Sequence, residues 1–329
     1  MNPDISDSVR AIAAGELTQI AACFVASGYV VTQPASGILL VNTPDAAPSR
    51  ARLLLSVGVH GDETAPIEML AHILHELAAQ PHSLRVNLMV VIGNLAAIRQ
   101  SKRFIDVDMN RLFREERGVL QSGVEAQRAD ELMRAASTFF SDADAENWHL
   151  DLHTAIRPSH YPTFAVILAN IAAPRRNVLA GWLGQAGIGA LIISPPSAGT
   201  FSGFTATRYG AASATVELGQ VGALGSNDLS RFGAAQQAID GFLRSGHVPA
   251  GIERPHVFTV AQELIKRSDA FRMAFDASTK NFTPMEPGTV IAEDGDTVYR
   301  VGPATEYVVF PNPDVRVGLR AGLMVVRQA

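Results

Sequence analysis

From about residue 50 onward, apolar β-rich runs alternate with stretches of helical periodicity, and this alternation constrains the fold more than any other feature of the chain. Residues 52–60, RLLLSVGVH, read as a buried strand. In the next segment, 65–80, Ile67, Leu70, Ile73, Leu74 and Leu77 recur at helical spacing, with Asp62 or Thr64 placed to cap the helix. Residues 85–94 return to strand, 123–143 carry a helical pattern, and 147–155, 163–170, 189–195 and 213–219 read as further strands. Such a succession predicts an α/β fold: a mixed, largely parallel sheet flanked by helices.

After a helical segment at 226–246 the pattern changes to short alternating runs broken by Pro and Gly. That change predicts a small β-rich C-terminal module over 251–329, following a larger domain over 1–250. The first 50 residues add two candidate strands, at 24–34 and 37–43.

Charge and cysteine content narrow the chemistry. A net charge of −5 gives no reason to expect nucleic acid, whose binding needs clustered Lys and Arg. Cys23 is the single cysteine, so a metal would have to be held by His and carboxylate. The longest apolar stretches, such as 88–98, fall short of the ~20 residues of a membrane span. The N-terminus lacks the pattern of an export signal, so a cytoplasmic protein with no membrane partner is expected.

Two histidines and a glutamate stand at strand ends: His60 and Glu63 in GVHGDET, and His153 in HLDLHT. Strands ending on one edge of a parallel sheet bring distant residues together, and two imidazoles with a carboxylate suit a zinc ion with one position open to water. Gly61 is expected to permit the sharp turn between His60 and Glu63. Glu217, ending the apolar run SATVELG, reads equally as a general base or as a strand-end glutamate facing solvent. In KRFIDVDMNRLF, Arg103, Asn110 and Arg111 flank two aspartates, a pattern suited to carboxylate recognition or to a plain ion-paired loop. Asp151 shares a strand face with His153 and is a candidate partner for it. His72 and His75, three apart on a helix, read mainly as a surface face. No complete G-x-S-x-G, phosphate-binding or dinucleotide-binding motif occurs.

GVHGDE, RFIDVDMNR, DLHT and VELG, in this order and spacing, resemble the succinylglutamate desuccinylase and aspartoacylase family, which is related to the zinc carboxypeptidases. The resemblance runs from about 50 to 240 and implies a carboxypeptidase-like fold with one zinc ion per subunit. It implies His60, Glu63 and His153 as metal ligands and Glu217 as the base that becomes proton donor. Arg103, Asn110 and Arg111 fall on the family's substrate-binding run, with Arg103 also helping to polarise the scissile carbonyl. Arg208, in FTATRYG, resembles a further carboxylate-binding arginine, although its spacing is off by one residue. The length and C-terminal module are most similar to the desuccinylase branch. That implies hydrolysis of a small acidic substrate, N2-succinyl-L-glutamate, as the last step of the arginine succinyltransferase route. An aspartoacylase-type deacylase, a peptidase and a non-catalytic binding protein retaining the fold are the alternatives. The sequence leaves oligomeric state open.

Overall fold

The computed structural model describes residues 5–43, 51–142, 145–196, 199–248, 254–276 and 278–328, the side chain of Val119 excepted. Helices α1 (Ile5–Ala13) and α2 (Thr18–Ala26) precede strands β1 (Val30–Thr32), β2 (Ile38–Asn42) and β3 (Arg52–Val57). Then follow α3 (Ala65–Ala79), β4 (Asn87–Ile92), α4 (Leu95–Arg99), α5 (Val124–Phe139), β5 (Asn147–Ala155) and β6 (Thr163–Leu168). Next come α6 (Ala173–Gln185), β7 (Ala190–Ser194), α7 (Phe201–Tyr209), β8 (Ala212–Gln220) and α8 (Gly233–Ser245). The C-terminal part contributes β9 (His256–Ile265), β10 (Arg272–Met273), β11 (Thr283–Met285) and β12 (Val290–Asp294). It ends with β13 (Thr297–Arg300), β14 (Glu306–Val309) and β15 (Arg320–Arg327).

Twelve strands form one sheet in the order β1-β2-β4-β3-β5-β8-β6-β7-β9-β15-β14-β11. Pairs β4-β3, β3-β5 and β5-β8 are parallel, as are β6-β7 and β7-β9, while β8-β6 and the outer pairs are antiparallel. The expected mixed, largely parallel centre is therefore present. The expected strand at 24–34 shrinks to β1, because residues 24–26 complete α2, whose Phe24 is fully buried. Helices α6 and α7 lie between the expected strands, in stretches to which the sequence reading gave no element.

Period-two alternation assigns the central strands to their two faces. Leu53, Leu55 and Val57, with Leu88, Val90 and Ile92, join Trp148, Leu150, Leu152, Ala212, Ala214 and Val216 in one core under α1, α2, α3, α6 and α8. Full burial of each leucine contributes roughly 2 kcal/mol. On the opposite face Leu54, Met89 and Val91 pack with Phe113, Phe139 and Phe201 of the α5 and α7 layer. Along β5 and β8 this second face turns polar: His149 pairs Ser213, Asp151 pairs Thr215, and His153 pairs Glu217.

The C-terminal strands extend the sheet through β9 against β7, except that, among the described residues, β10, β12 and β13 form a separate three-stranded sheet. The division near residue 250 lies outside the described residues. Asn281 fastens this part to the loop after β5: its carbonyl accepts from His160 N (3.1 Å) and its side-chain oxygen from Phe310 N (2.8 Å). Among the described residues, no single helix is long and apolar enough to cross a membrane.

Candidate metal centre and active site

The turn after β3 is shaped by two glycines with different tasks. Gly58 carries the left-handed φ of +65°, a conformation L side chains resist. Gly61 instead admits a close approach, since a Cβ there would lie 2.3 Å from the Ala97 and Ile98 backbone. The sharp turn expected of Gly61 thus resides at Gly58. Thr64 occupies the N-cap of α3, yet its hydroxyl donates to Gly222 O (2.7 Å) and makes no side-chain cap bond.

This turn presents His60 and Glu63 to His153 at the carboxyl end of β5, all three buried, with ligand atoms within 4.8 Å of one another. The Nδ1 atoms of His60 and His153 both lie 2.8 Å from Glu63, one at each carboxylate oxygen. Their Nε2 atoms point to other carboxylates: His60 to Asp108 Oδ1 at 2.9 Å and His153 to Asp151 Oδ2 at 3.0 Å. An imidazole whose Nε2–H faces a carboxylate offers its Nδ1 lone pair to a cation. Two such nitrogens and the Glu63 carboxylate therefore fit a divalent metal ion.

The electrostatics agree. Burial opposes ionisation of Glu63, but the fields of His60 and His153 and their hydrogen bonds outweigh it and hold its pKa well below the usual range. Burial also opposes charging His153, yet Asp151 and Glu63 raise its pKa well above 6.5. His60 is raised too, because Glu63 and Asp108 overcome burial and the nearby Arg103. Carboxylates that hold protons on two imidazoles also attract a dication, which would displace those protons.

Glu217, on β8 opposite His153, behaves differently. Burial, then the charge of Glu63, push its carboxyl up to about 7. Its Oε2 is buried without a hydrogen-bond partner. A carboxyl poised near neutrality can both accept and return a proton. Behind the site, His149 is pushed down to about 4 by burial and is neutral. Its ring nitrogens meet Ser56 Oγ and Thr205 Oγ1, each at 2.8 Å, and Ser56 donates to Asp151 Oδ1 (2.5 Å).

The arginine-bearing segment 102–113 crosses the metal side of a cavity of about 610 Å³. Arg103 Nη1 donates to Glu63 Oε1 (2.7 Å), and its Nη2 lies 3.1 Å from His60 Nε2. Asn110 is buried, its side-chain oxygen accepting from Phe201 N (2.9 Å) and its Nδ2 3.5 Å from His153 Nε2. Arg111 also lines the cavity. Arg208 does not: it is exposed, beside Glu115 and Arg134 in a separate depression. The reason is directional. Helix α7 runs back toward the start of β8, so its N-cap Thr200 and Ser202 in its first turn reach the cavity. Arg208 stands six residues farther on, about 9 Å along the axis.

Some contributors were missed. Asp108 read as a partner for arginines, but it also faces His60. Glu125, fully buried in the first turn of α5, accepts from the backbone N–H groups of Ile105, Asp106 and Val107 at 2.6, 3.1 and 3.3 Å. An acidic residue at a helix start was the visible signal, although nothing in it named the loop. Arg157, Arg316 and Arg320 also line the cavity. His72 and His75 belong to no candidate metal group among the described residues, and His75 meets Ser8 Oγ at 3.3 Å.

Residues 49–243 match the sequence model of the succinylglutamate desuccinylase/aspartoacylase catalytic domain. The chain belongs to this family. Residues 253–328 match its companion, the AstE/AspA barrel-sandwich hybrid domain. Among relatives in the family, the succinylglutamate desuccinylase of Burkholderia orbicola (strain AU 1054) is 44% identical over 282 residues, covering 85% of this chain and 82% of that one. That of Burkholderia thailandensis is 43% identical over 293 residues, covering 88% and 84%. The crystal structure of succinylglutamate desuccinylase from Vibrio cholerae superposes with a TM-score of 0.83 at 32% identity, covering 92% of this chain and 88% of that one. The enzyme from Chromobacterium violaceum gives 0.79 at 35%, covering 92% of each. Murine aminoacylase 3, at 18% identity and a TM-score of 0.56, shares the fold while covering 85% of this chain and 96% of that one.

Proposed function

We propose that this chain is a zinc-dependent hydrolase that cleaves the amide bond of N2-succinyl-L-glutamate to succinate and L-glutamate. Its place is the last step of arginine breakdown by the succinyltransferase route. The observation that carries the reading is Glu217: a buried carboxyl held near pKa 7, with an unpartnered oxygen, across from a three-ligand metal group.

Zinc held by His60, Glu63 and His153 would supply Lewis acidity and a water of lowered pKa. Glu217 takes one proton from the attacking water as the oxygen bonds to the acyl carbon. It then returns that proton to the leaving nitrogen as the C–N bond breaks, so base and acid are one residue. Arg103, its guanidinium facing the metal ligands, places positive charge where the carbonyl oxygen becomes an oxyanion. Asp108 and Asp151 orient the two imidazoles. A substrate with three carboxylates suits a cavity lined by Arg103, Arg111, Arg157, Arg316 and Arg320. Residues between 310 and 323 line part of that cavity, which supports a small acyl amino acid over a peptide chain.

Metal analysis with parallel assays on N-succinylglutamate and N-acetylaspartate tests this reading. About one zinc per subunit and strong preference for the succinyl substrate are expected. Preference for N-acetylaspartate would instead favour the aspartoacylase-type alternative. Glu217→Gln should keep the metal and abolish turnover, and normal turnover would remove Glu217 from its role. Metal-loaded wild-type protein that turns over neither substrate would favour a binding protein.

A further inference from the structure

Two of the cavity's arginines come from different parts of the chain, Arg111 from the 102–113 run and Arg320 from β15, and both keep donors free. Arg103 is occupied by Glu63 at 2.7 Å, Arg316 by the carbonyl of Asp106 at 3.0 Å, and Arg157 by the carbonyl of Asp276. Arg320, the first residue of β15, has one contact at the outer limit of hydrogen bonding, Nη1 to Glu263 Oε1 at 3.5 Å. Arg111 spends Nη1 on its neighbour's carbonyl, Asn110 O at 2.8 Å, and its Nη2 lies 3.5 Å from Asp108 Oδ2. Each fork therefore has donors left over among its five N–H groups.

The backbone aims Arg320 at this place. In an undisturbed strand Arg320 and Leu323, three apart, would point to opposite faces, yet both line the cavity. The pairing of β15 with β9 shifts register between Arg320 and Gly322. An irregularity of this kind re-aims a side chain, and such features gather beside functional sites. Electrostatics add a second mark. Burial, then repulsion from Arg111, lower the pKa of Arg320, so the two guanidiniums are close enough to repel each other. Like charges held together in a partly enclosed cavity are relieved by an anion between them.

We propose that Arg320 and Arg111 form a two-guanidinium clamp for one carboxylate of the substrate, remote from the scissile amide. The C-terminal part thereby takes the role that the sequence placed on Arg208. This inference rests on the hydrolase reading above for the identity of the substrate, but not for the existence of the anion site.

Full-length, metal-loaded protein is compared with Arg320→Gln on three substrates: N-succinylglutamate, N-succinylglutamine and N-butyrylglutamate. The last two each lack one distal carboxylate. Loss of a charge-assisted contact should raise KM for N-succinylglutamate about 10- to 100-fold with kcat within about 3-fold. It should also erase the wild-type preference over one truncated substrate while keeping the preference over the other. The erased preference names the carboxylate: glutamyl side chain if N-succinylglutamine, succinyl end if N-butyrylglutamate. An equal KM rise on all three substrates means a structural role and overturns the clamp. Arg320→Lys, which keeps the charge but loses the fork, should fall between the two proteins and serves as the variant if the glutamine form does not fold. Wild-type behaviour of the lysine variant overturns the clamp as well.

Calorimetry with glutarate and butyrate separates this failure from failure of the functional reading. If wild-type protein does not hydrolyse N-succinylglutamate, the clamp still predicts tighter binding of glutarate than butyrate. Arg320→Gln should abolish that difference. No difference in wild-type protein, or the same difference in both proteins, refutes the clamp whatever the substrate.

Discussion

On one side of the cavity, side chains are held by strand register and a chain of buried hydrogen bonds and ion pairs; on the other, they are carried by a loop and by an edge of β15 whose pairing with β9 shifts register. The first side is the carboxyl edge of β3, β5 and β8, where Thr205, His149, Ser56, Asp151, His153 and Glu63 follow one another in contact. The second is residues 310–323, tied by Asn281 to Phe310, by Arg316 to Asp106, and by backbone bonds of Gly318 and Leu319 with Lys266. Chemistry that depends on precise placement belongs on the first side, because misplacing a group by about 1 Å can cost about 100-fold in rate. Selection among acidic substrates suits the second, since a guanidinium fork pairs a carboxylate through two parallel hydrogen bonds.

Breaking the first side should have the largest effects. His153→Ala removes one of three ligands and leaves Asp151 and Glu63 facing a gap. Bound metal should fall below measurable stoichiometry by elemental analysis, and turnover should disappear with it. Retention of a full equivalent of metal would show that His153 is not a ligand. A smaller loss is expected from Asp151→Asn, which leaves the ligand but no longer aligns it: metal affinity should weaken about 10- to 100-fold in a chelator competition. Ser56→Ala, one step farther along the chain, should weaken it less.

The same contrast decides what could be read from the sequence. The alternation of Leu53, Leu55 and Val57 against Leu54 and Ser56 carries the register of β3, and equal reasoning puts Asp151 and His153 on one face. Parallel pairing then carries Glu217 to His153, since all these residues sit at strand ends. Local patterns sufficed for His60, Glu63, Asp151 and His153 on that side, while His149, Ser56 and Thr205 behind them went unread. Arg320 was illegible because its position depends on antiparallel pairing with β9 and on an irregularity within it, neither of which leaves a local signature. Arg208 was misplaced for a related reason. Nothing in its motif shows that it lies on a helix, α7, that runs away from the site. Glu125 lay hidden because its partners are backbone amides about twenty residues upstream, and backbone amides carry no residue type.

Glu217 offers a subtler test of the rigid side in the metal-free protein. Its folded pKa of about 7 exceeds the ordinary 4.5, so the folded state binds the proton more tightly than the unfolded chain does. Stability should therefore fall as pH rises from about 4.5 to about 7, with the full penalty above that range. Glu217→Gln removes the penalty. By denaturant titration after chelation, the variant should exceed wild type at pH 8 by at most about 3 kcal/mol. The two should converge near pH 4.5. Titration of His60 and His153 is common to both proteins and cancels to first order in the difference. A gap that does not depend on pH would mean the carboxyl is already ionised without strain.

The smallest effect should come from Arg316→Ala, on the loosely held side. Arg316 is exposed, and its one bond spans the cavity's two sides, from Nη2 to Asp106 O at 3.0 Å. Solvent screens such a contact, so its loss should cost no more than about 1 kcal/mol of stability. Because Asp106 and the arginine run are independently fixed by Glu125, Arg103 and Arg111 should keep their positions. The expected result is therefore a change in KM of about two-fold and an unchanged kcat. A drop in kcat of tenfold or more would mean that residues 310–323 set the geometry of the metal side through Asp106. The two sides of the cavity would then act as one unit, and the division between chemistry and selection would not hold.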